Sequence, residues 1–395
     1  MNVLNILVHG GLSRPISGGQ LRDLQLTQQL KKRGDTILLL EPDRYVDAND
    51  RAIATVYAYR DLSLFGRRLC SFRDFTLSYL RAIWRIITTN DVDLIKLTHP
   101  SGASAARLAC MLARKQPALV YSAHNVESDL IDEAFKRDAH YTWIEKSIVP
   151  LYFTLLEKLA TRIADGIIVV SDHDSDRFQG KFGVDPHKLF VVPSGRAVSP
   201  LPSADERKVA RKALDISPNT RVVLFHGFYQ YPPNREAFDA IEKQIAPCIA
   251  AATDDVLFLL AGTDAPRFER GNVRSIGFVG ALDELCAAAD IALVPIRRGG
   301  GTKMKVFDYM NAALPIVATP RAMEGIDAVD GENTLIASTV EDLASKLLWL
   351  LDNPDECRRI GMSGRQLLET KYTWDTLSTR LFAACERIRG GANGA

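Results

Sequence analysis

Short apolar runs alternate with helix-length amphipathic stretches along this 395-residue chain, and the alternation occurs twice. In the first half, residues 3–8, 36–40, 94–97, 119–121, 166–170 and 189–192 read as strands. Leu21, Leu24, Leu26 and Leu30 recur near helical spacing until Gly34 stops the run; 103–113, part of 143–163 and 171–178 read as further helices. After a polar connection at 200–205 the pattern restarts. Strands are predicted at 222–225, 256–261, 273–276, 291–295 and 315–318, with a short one continuing at Leu335, and helices at 235–245, 281–288 and 340–351. Such alternation implies a mostly parallel sheet covered on both faces. The expected fold class is therefore α/β: two doubly wound, Rossmann-like domains facing across a cleft, where open α/β sheets bind ligands at the carboxyl ends of their strands. Helical material at 357–370 and 374–388 is long enough to cross back over the first domain.

Composition narrows the function classes. Hydrophobic residues make up 47% and charged residues 25%, as in a globular protein, and the net charge of +1 argues against nucleic acid as the main partner. The six cysteines are scattered without a CxxC pair, which predicts reduced thiols in a cytoplasmic protein and no zinc site. No basic leader precedes the first apolar run, and no stretch of about 20 residues is free of charge, so a spanning helix is not expected. Residues 64–89 interleave Arg67, Arg68, Arg73, Arg81 and Arg85 with aromatic and aliphatic side chains. That segment suits either a peripheral position on an anionic membrane surface or a helix pair with solvated arginines.

The richest chemistry lies at 297–308, Arg-Arg-Gly-Gly-Gly-Thr-Lys-Met-Lys-Val-Phe-Asp. An apolar strand feeds a triple-glycine turn that opens a helix, so backbone can approach a ligand closely and the helix start offers N–H groups to an anion. Lys303 and Lys305 add positive charge, and Asp308 can hold hydroxyls. Gly18, Gly19 and Arg22 lie between the first strand and first helix, as a structural turn or a ligand contact. His124, Asn125 and Glu127 follow the strand at 119–121; His124 suits a sugar hydroxyl or a leaving group, or is a satisfied loop histidine. Ser171 is placed as a helix cap, with Asp172, Asp174 and Asp176 as solvated helix charge. Gly227 suits a tight strand exit with Tyr229 and Tyr231 beside it, and Asn234 is predicted to cap the next helix. Glu324 and Gly325 sit on a loop able to approach the same ligand. His9, His99 and His124 are too far apart in sequence to make a convincing metal set.

Taken together, these motifs make the chain resemble the GT-B retaining glycosyltransferases of the group 1 class, glycosyltransferase family 4. The resemblance covers nearly the whole chain and is most specific over 299–326. It implies an acceptor-binding Rossmann-like domain at 1–198, a nucleotide-sugar-binding one at 199–370, and a C-terminal helix at 371–395 packing back on the first. The implied donor is a nucleotide-diphosphate sugar, a UDP-sugar or GDP-sugar, with no further cofactor and no metal. Gly18, Gly19, Gly227, Gly300, Gly301, Thr302, Lys303, Asp308, Glu324 and Gly325 are assigned to the donor, His124 and Lys303 to catalysis, and Arg22, Asn125 and Glu127 to the acceptor side. The chain departs from the family pattern in three places. Asp308 stands where the family's second paired glutamate holds ribose hydroxyls, Gly300 stands where the first would be, and no separated Arg and Lys phosphate pair is recognisable over 227–235.

The implied reaction keeps the anomeric configuration on one face, the departing phosphate oxygen taking the acceptor proton. The implied acceptor is a saccharide or a lipid-linked saccharide in cell-surface glycan synthesis. Competing readings are a nucleotide-sugar epimerase, which would need no acceptor, and a non-catalytic sugar-nucleotide-binding scaffold. The first turn lacks the GxGxxG expected of an NAD enzyme.

Overall fold

A computed structural model describes residues 1–8, 11–13, 15, 17–60, 76–137 and 141–392. The remaining residues, including His9, Cys70 and the 64–75 portion of the arginine- and aromatic-rich segment, lie outside the described residues.

The chain forms two compact units, Met1–Ser194 with Trp374–Ala395, and Gly195–Thr373. The first begins β1 (Asn2–Ile6), α1 (Gly18–Lys32), β2 (Thr36–Pro42), α2 (Asp50–Ile53), β3 (Thr55–Tyr59), α3 (Leu77–Thr89), β4 (Leu94–Leu97), α4 (Ala103–Ala113) and β5 (Ala118–Ser122). It continues with α5 (Glu127–Arg137), α6 (Trp143–Ile163), β6 (Gly166–Val169), α7 (Asp172–Phe182) and β7 (Leu189–Val191). Its seven strands are all parallel, in the order β3-β2-β1-β4-β5-β6-β7, so the direction of winding reverses between β1 and β4. Every residue of β4, β5 and β6 is buried, as a strand covered on both faces requires.

The second unit runs α8 (Ala204–Ala213), β8 (Arg221–His226), α9 (Pro232–Ala240), α10 (Ala246–Ala250), β9 (Val256–Ala261), β10 (Arg267–Arg270) and β11 (Val273–Ile276). There follow α11 (Leu282–Ala288), β12 (Ile291–Val294), α12 (Met304–Asn311), β13 (Ile316–Ala318), β14 (Leu335–Ile336), α13 (Val340–Asp352) and α14 (Pro354–Lys371). Its sheet order is β10-β11-β9-β8-β12-β13-β14, with only the β10–β11 pair antiparallel. The last helix, α15 (Trp374–Ala392), belongs to the first unit, where it packs on α1. Two Rossmann-like units with C-terminal crossover helices make the GT-B fold.

Local chemistry explains most element starts. Ser17, Thr142 and Ser203 each form a full capping box with Gln20, Glu145 and Glu206. Ser171 caps α7 through the Asp174 N–H, but Asp174 is buried and takes the Ser171 hydroxyl at 2.6 Å; it is not solvated helix charge. Asn234 is not a cap either. α9 starts two prolines earlier, and Asn234 lies buried inside it, donating to the Phe228 carbonyl and accepting from Lys305 Nζ at 2.7 Å. Proline at the first helical position, where no N–H is needed, moved the boundary.

Candidate functional site

In the first unit the site residues stand at the carboxyl ends of β1 and β5. Gly18 and Gly19 form the first turn of α1, behind Ser17. A Cβ on Gly19 would come within 3.1–3.4 Å of the His124 ring, so glycine here lets the histidine lie flat against the helix start. His124 Nε2 is 3.0 Å from Asp23 Oδ2. Asp23 Oδ1 accepts from Lys96 Nζ at 2.9 Å, and Lys96 reaches Asn5 Oδ1 at 3.4 Å. Asn5 in turn donates to Thr27 Oγ1 at 2.8 Å. Burial alone would raise the Asp23 carboxyl; the Lys96 ammonium and His124 outweigh it and hold the group well below the ordinary carboxylate range. An ionised Asp23 fixes one imidazole nitrogen, leaving Nδ1 of His124 buried without a partner among the described residues. Asn125 Oδ1 beside it is also buried, with no partner among the described residues. Buried polar atoms left unsatisfied call for a partner from outside the chain, a water or a ligand.

Glu127 opens α5, where the first N–H groups need an acceptor. Glu157, from the middle of α6, supplies it. Its carboxyl accepts the backbone N–H groups of Glu127 and Ser128, both at 2.9 Å, and the Tyr121 hydroxyl at 3.0 Å. Burial raises Glu157 against these hydrogen bonds, and burial together with Glu157 pushes Glu127 up to about 8. Glu127 is thus largely protonated at neutral pH and able to donate. Arg22 has a different role from the one sequence assigns it. It is 1% exposed and donates to the Val192 and Pro193 carbonyls at 2.7 and 2.9 Å, which pins the end of β7 to α1 rather than presenting charge to an acceptor.

In the second unit the glycine turn joins β12 to α12. Gly299 and Gly301 adopt φ of +93° and +66°, and a Cβ on Gly299 would meet the Tyr231 hydroxyl at 2.4 Å. Lys303 is 8% exposed, and its ammonium donates to the carbonyls of Gly299, Gly300 and Gly301 at 3.1, 3.3 and 2.7 Å. The turn is wound around this lysine, so Lys303 organises the loop in the structure. Among the described residues Thr302 Oγ1 is buried without a partner, and no side chain caps α12. Lys305 lies under the turn, 4.1 Å from the Phe225 ring centroid, its pKa drawn well down by burial and then by Lys303. Gly227 is packed so closely that a Cβ would be 2.6 Å from Lys305 Nζ. Arg298 is paired with Glu236.

Asp308, one turn into α12, is paired with Arg196 through Oδ1, and its Oδ2 is 3.4 Å from His226 Nε2. Arg196 also pairs with Asp283. His226 is drawn down to about 3 by burial and then by Lys305 and Arg196, so the imidazole is neutral. Beyond β13, Glu324 pairs with Arg321 at 2.8 Å and Gly325 has φ of +80°. Sequence reasoning missed Asp23, Lys96, Glu157, His226 and Arg196. A lysine inside the apolar β4 and a glutamate on the inner face of α6 were the available signals, because a buried charge requires a partner.

The family model described as Glycosyltransferase Family 4 matches residues 17–199, and that described as Glycosyl transferases group 1 matches 220–353. Each unit therefore matches a glycosyltransferase family model, and the two together have the GT-B fold. Among characterised relatives is the GDP-mannose-dependent monoacylated alpha-(1-6)-phosphatidylinositol monomannoside mannosyltransferase of Corynebacterium glutamicum, 27% identical over 255 residues. That match takes in 60% of this chain and 65% of the relative, just under two thirds of its length. Sucrose-phosphate synthase from Thermosynechococcus elongatus shares the fold with a TM-score of 0.74 at 16% identity, over 97% of both chains. Anabaena HepE in complex with UDP and glucose gives 0.72 at 16% identity, over 97% of this chain and 98% of the other.

Proposed function

We propose that the protein transfers a sugar, with retention of configuration, from a nucleotide-diphosphate donor to a hydroxyl of a saccharide or lipid-linked saccharide. The observation that carries this reading is the turn at 299–303, which brings left-handed glycines, an unpartnered Thr302 hydroxyl and an uncapped helix start together at the end of β12. Backbone N–H groups there suit a diphosphate, whose negative charge grows as the bond to the sugar stretches. Asp308 suits ribose hydroxyls, which must then share the carboxylate with Arg196. In the first unit, His124 has one nitrogen set by Asp23 and the other free for a sugar hydroxyl. Glu127, protonated, suits a hydrogen bond to the acceptor. The departing phosphate oxygen is the proton acceptor in this scheme, so no protein base is required. A UDP- or GDP-sugar is the proposed donor; one relative is named as GDP-mannose-dependent and one similar structure holds UDP.

Calorimetry against UDP, GDP, dTDP and ADP, for the wild type and Asp308→Ala, tests the donor site. One nucleotide is expected to bind selectively, and the variant to bind it about tenfold more weakly or worse, equivalent to ~1.4 kcal/mol. A folded protein that binds none of the four refutes the donor assignment. The anomeric configuration of the transfer product, read by NMR, decides retention.

A further inference from the structure

In the second unit one guanidinium serves two carboxylates. Arg196 donates from one nitrogen to Asp308 Oδ1 and from another to Asp283 Oδ1. The two acids differ in their surroundings. The side chain of Asp308 is 16% exposed, and that of Asp283, in the first turn of α11, is 66% exposed. Water can solvate Asp283, so its pair with Arg196 is worth little. Asp308 is mostly withdrawn from water and needs a counter-ion or hydrogen-bond donors in exchange. His226, 3.4 Å from its Oδ2, is neutral and brings no charge. Arg196 is thus the cation that satisfies Asp308.

The side chain of Arg196 is the part that can give way. Its backbone N–H donates to the Tyr372 carbonyl at 2.9 Å, and its backbone forms a parallel bridge with Thr373. The point where the chain enters the second unit is therefore tied to the point where it leaves. Three residues on, Ser199 is fastened to α12. Its N–H donates to Asn311 Oδ1 at 3.0 Å, and its hydroxyl accepts from Asn311 Nδ2 at 2.6 Å. Arg365 donates to the carbonyls of both residues. Asp308 and Asn311 are three apart, on one face of α12, so the 196–199 segment is held to that face at both ends. A guanidinium on a long stem over a fixed backbone can leave one acid for the other with no change in the main chain.

A ribose diol brings two hydroxyls to a carboxylate. At Asp308, Oδ2 lies beside the neutral His226, while Oδ1 is engaged by Arg196 and has to be contested. We propose, resting on the assignment of Asp308 to ribose hydroxyls, that Arg196 is a latch on the nucleotide site. Its guanidinium competes with the ribose for Asp308 and withdraws to Asp283 when the ribose wins. The latch holds nucleotide affinity below what Asp308 alone would give. It also makes Asp283 a determinant of that affinity, acting only through Arg196.

Calorimetry of the full chain with whichever of UDP, GDP, dTDP and ADP the wild type binds is the test. Arg196→Met is expected to bind that nucleotide about fivefold more tightly. Asp283→Asn should bind it about threefold more weakly, because Arg196 then has Asp308 alone. The double variant should match Arg196→Met, since Asp283 has nothing left to act on. Asp283 is exposed, so its variant should unfold at the wild-type temperature and carries the test even if Arg196→Met folds poorly. Arg196→Met binding no more tightly than the wild type overturns the latch, as does Asp283→Asn binding undiminished. So does a loss from Asp283→Asn that persists in the double variant, since Asp283 would then touch the nucleotide itself. Each of these leaves the donor site standing if Asp308→Ala still weakens binding. A wild type that binds none of the four overturns the donor site and the latch together.

Discussion

Asp23 makes the strongest test at the scale of single residues, because two side chains converge on its carboxylate in the interior. Its carboxylate holds the Lys96 ammonium and sets the His124 ring. Asp23→Asn keeps the shape and removes the charge, leaving a buried ammonium without its counter-ion, which should cost about 3 kcal/mol in chemical denaturation. Adding Lys96→Met removes the stranded charge and should recover most of that loss. An Asp23→Asn protein as stable as the wild type would show that the pair is not energetically coupled. The pH dependence has a definite sign. Asp23 is depressed in the folded state, so its contribution is present above its ordinary value of 3.8 and disappears as pH falls towards the lower folded value.

Among the elements, the turn from β12 to α12 shows both how much the sequence discloses and where it stops. Three consecutive glycines announce backbone conformations closed to other residues, and Gly299 and Gly301 adopt them. What the string could not reveal is that Lys303 is folded into the turn as its internal donor, since the charge pattern of a lysine is the same pointing in or out. Gly299→Ala meets both a left-handed φ and the Tyr231 hydroxyl, and should lose about 1–2 kcal/mol by the backbone term alone, together with nucleotide binding. Equal unfolding midpoints for variant and wild type would show that the turn adapts. Strand–helix alternation was legible because buried parallel strands are short and apolar throughout. β3, β10, α2, α5, α8 and α10 were not predicted. β3 alternates Tyr with smaller residues, β10 is three-quarters charged, and α8 begins in what reads as a polar linker. Edge strands and solvated helices owe their place to neighbours rather than to their own hydrophobicity. Asn234 shows the same limit in a single residue. Its sequence context is that of a cap, and only the fold places Lys305 against it.

Across the whole molecule, buried acids set the response to pH. Glu41 near the end of β2 is fully buried and is pushed from 4.5 to about 8 by burial and then by the Asp50 carboxylate, with which its carboxyl shares a hydrogen bond. Glu127 is pushed to about 8 as well. A carboxyl whose folded pKa is raised favours the folded state most below its unfolded value, and that advantage is lost as pH rises from 4.5 through about 8. Thermal unfolding of the wild type should therefore show a destabilising component over that window, and Glu41→Gln should flatten it while leaving the Glu127 component. Identical pH profiles for the two proteins would remove Glu41 from the account.

The placement of α15 sets an order of events during synthesis. The second unit is one uninterrupted piece of chain, 195–373, and has all its elements as soon as that piece has left the ribosome. The first unit, although translated first, waits for its final helix: until α15 emerges, the α1 surface that it covers is open to solvent. A nascent chain of this topology finishes its later unit before its earlier one, and a stalled ribosome would display an N-terminal sheet lacking its last cover.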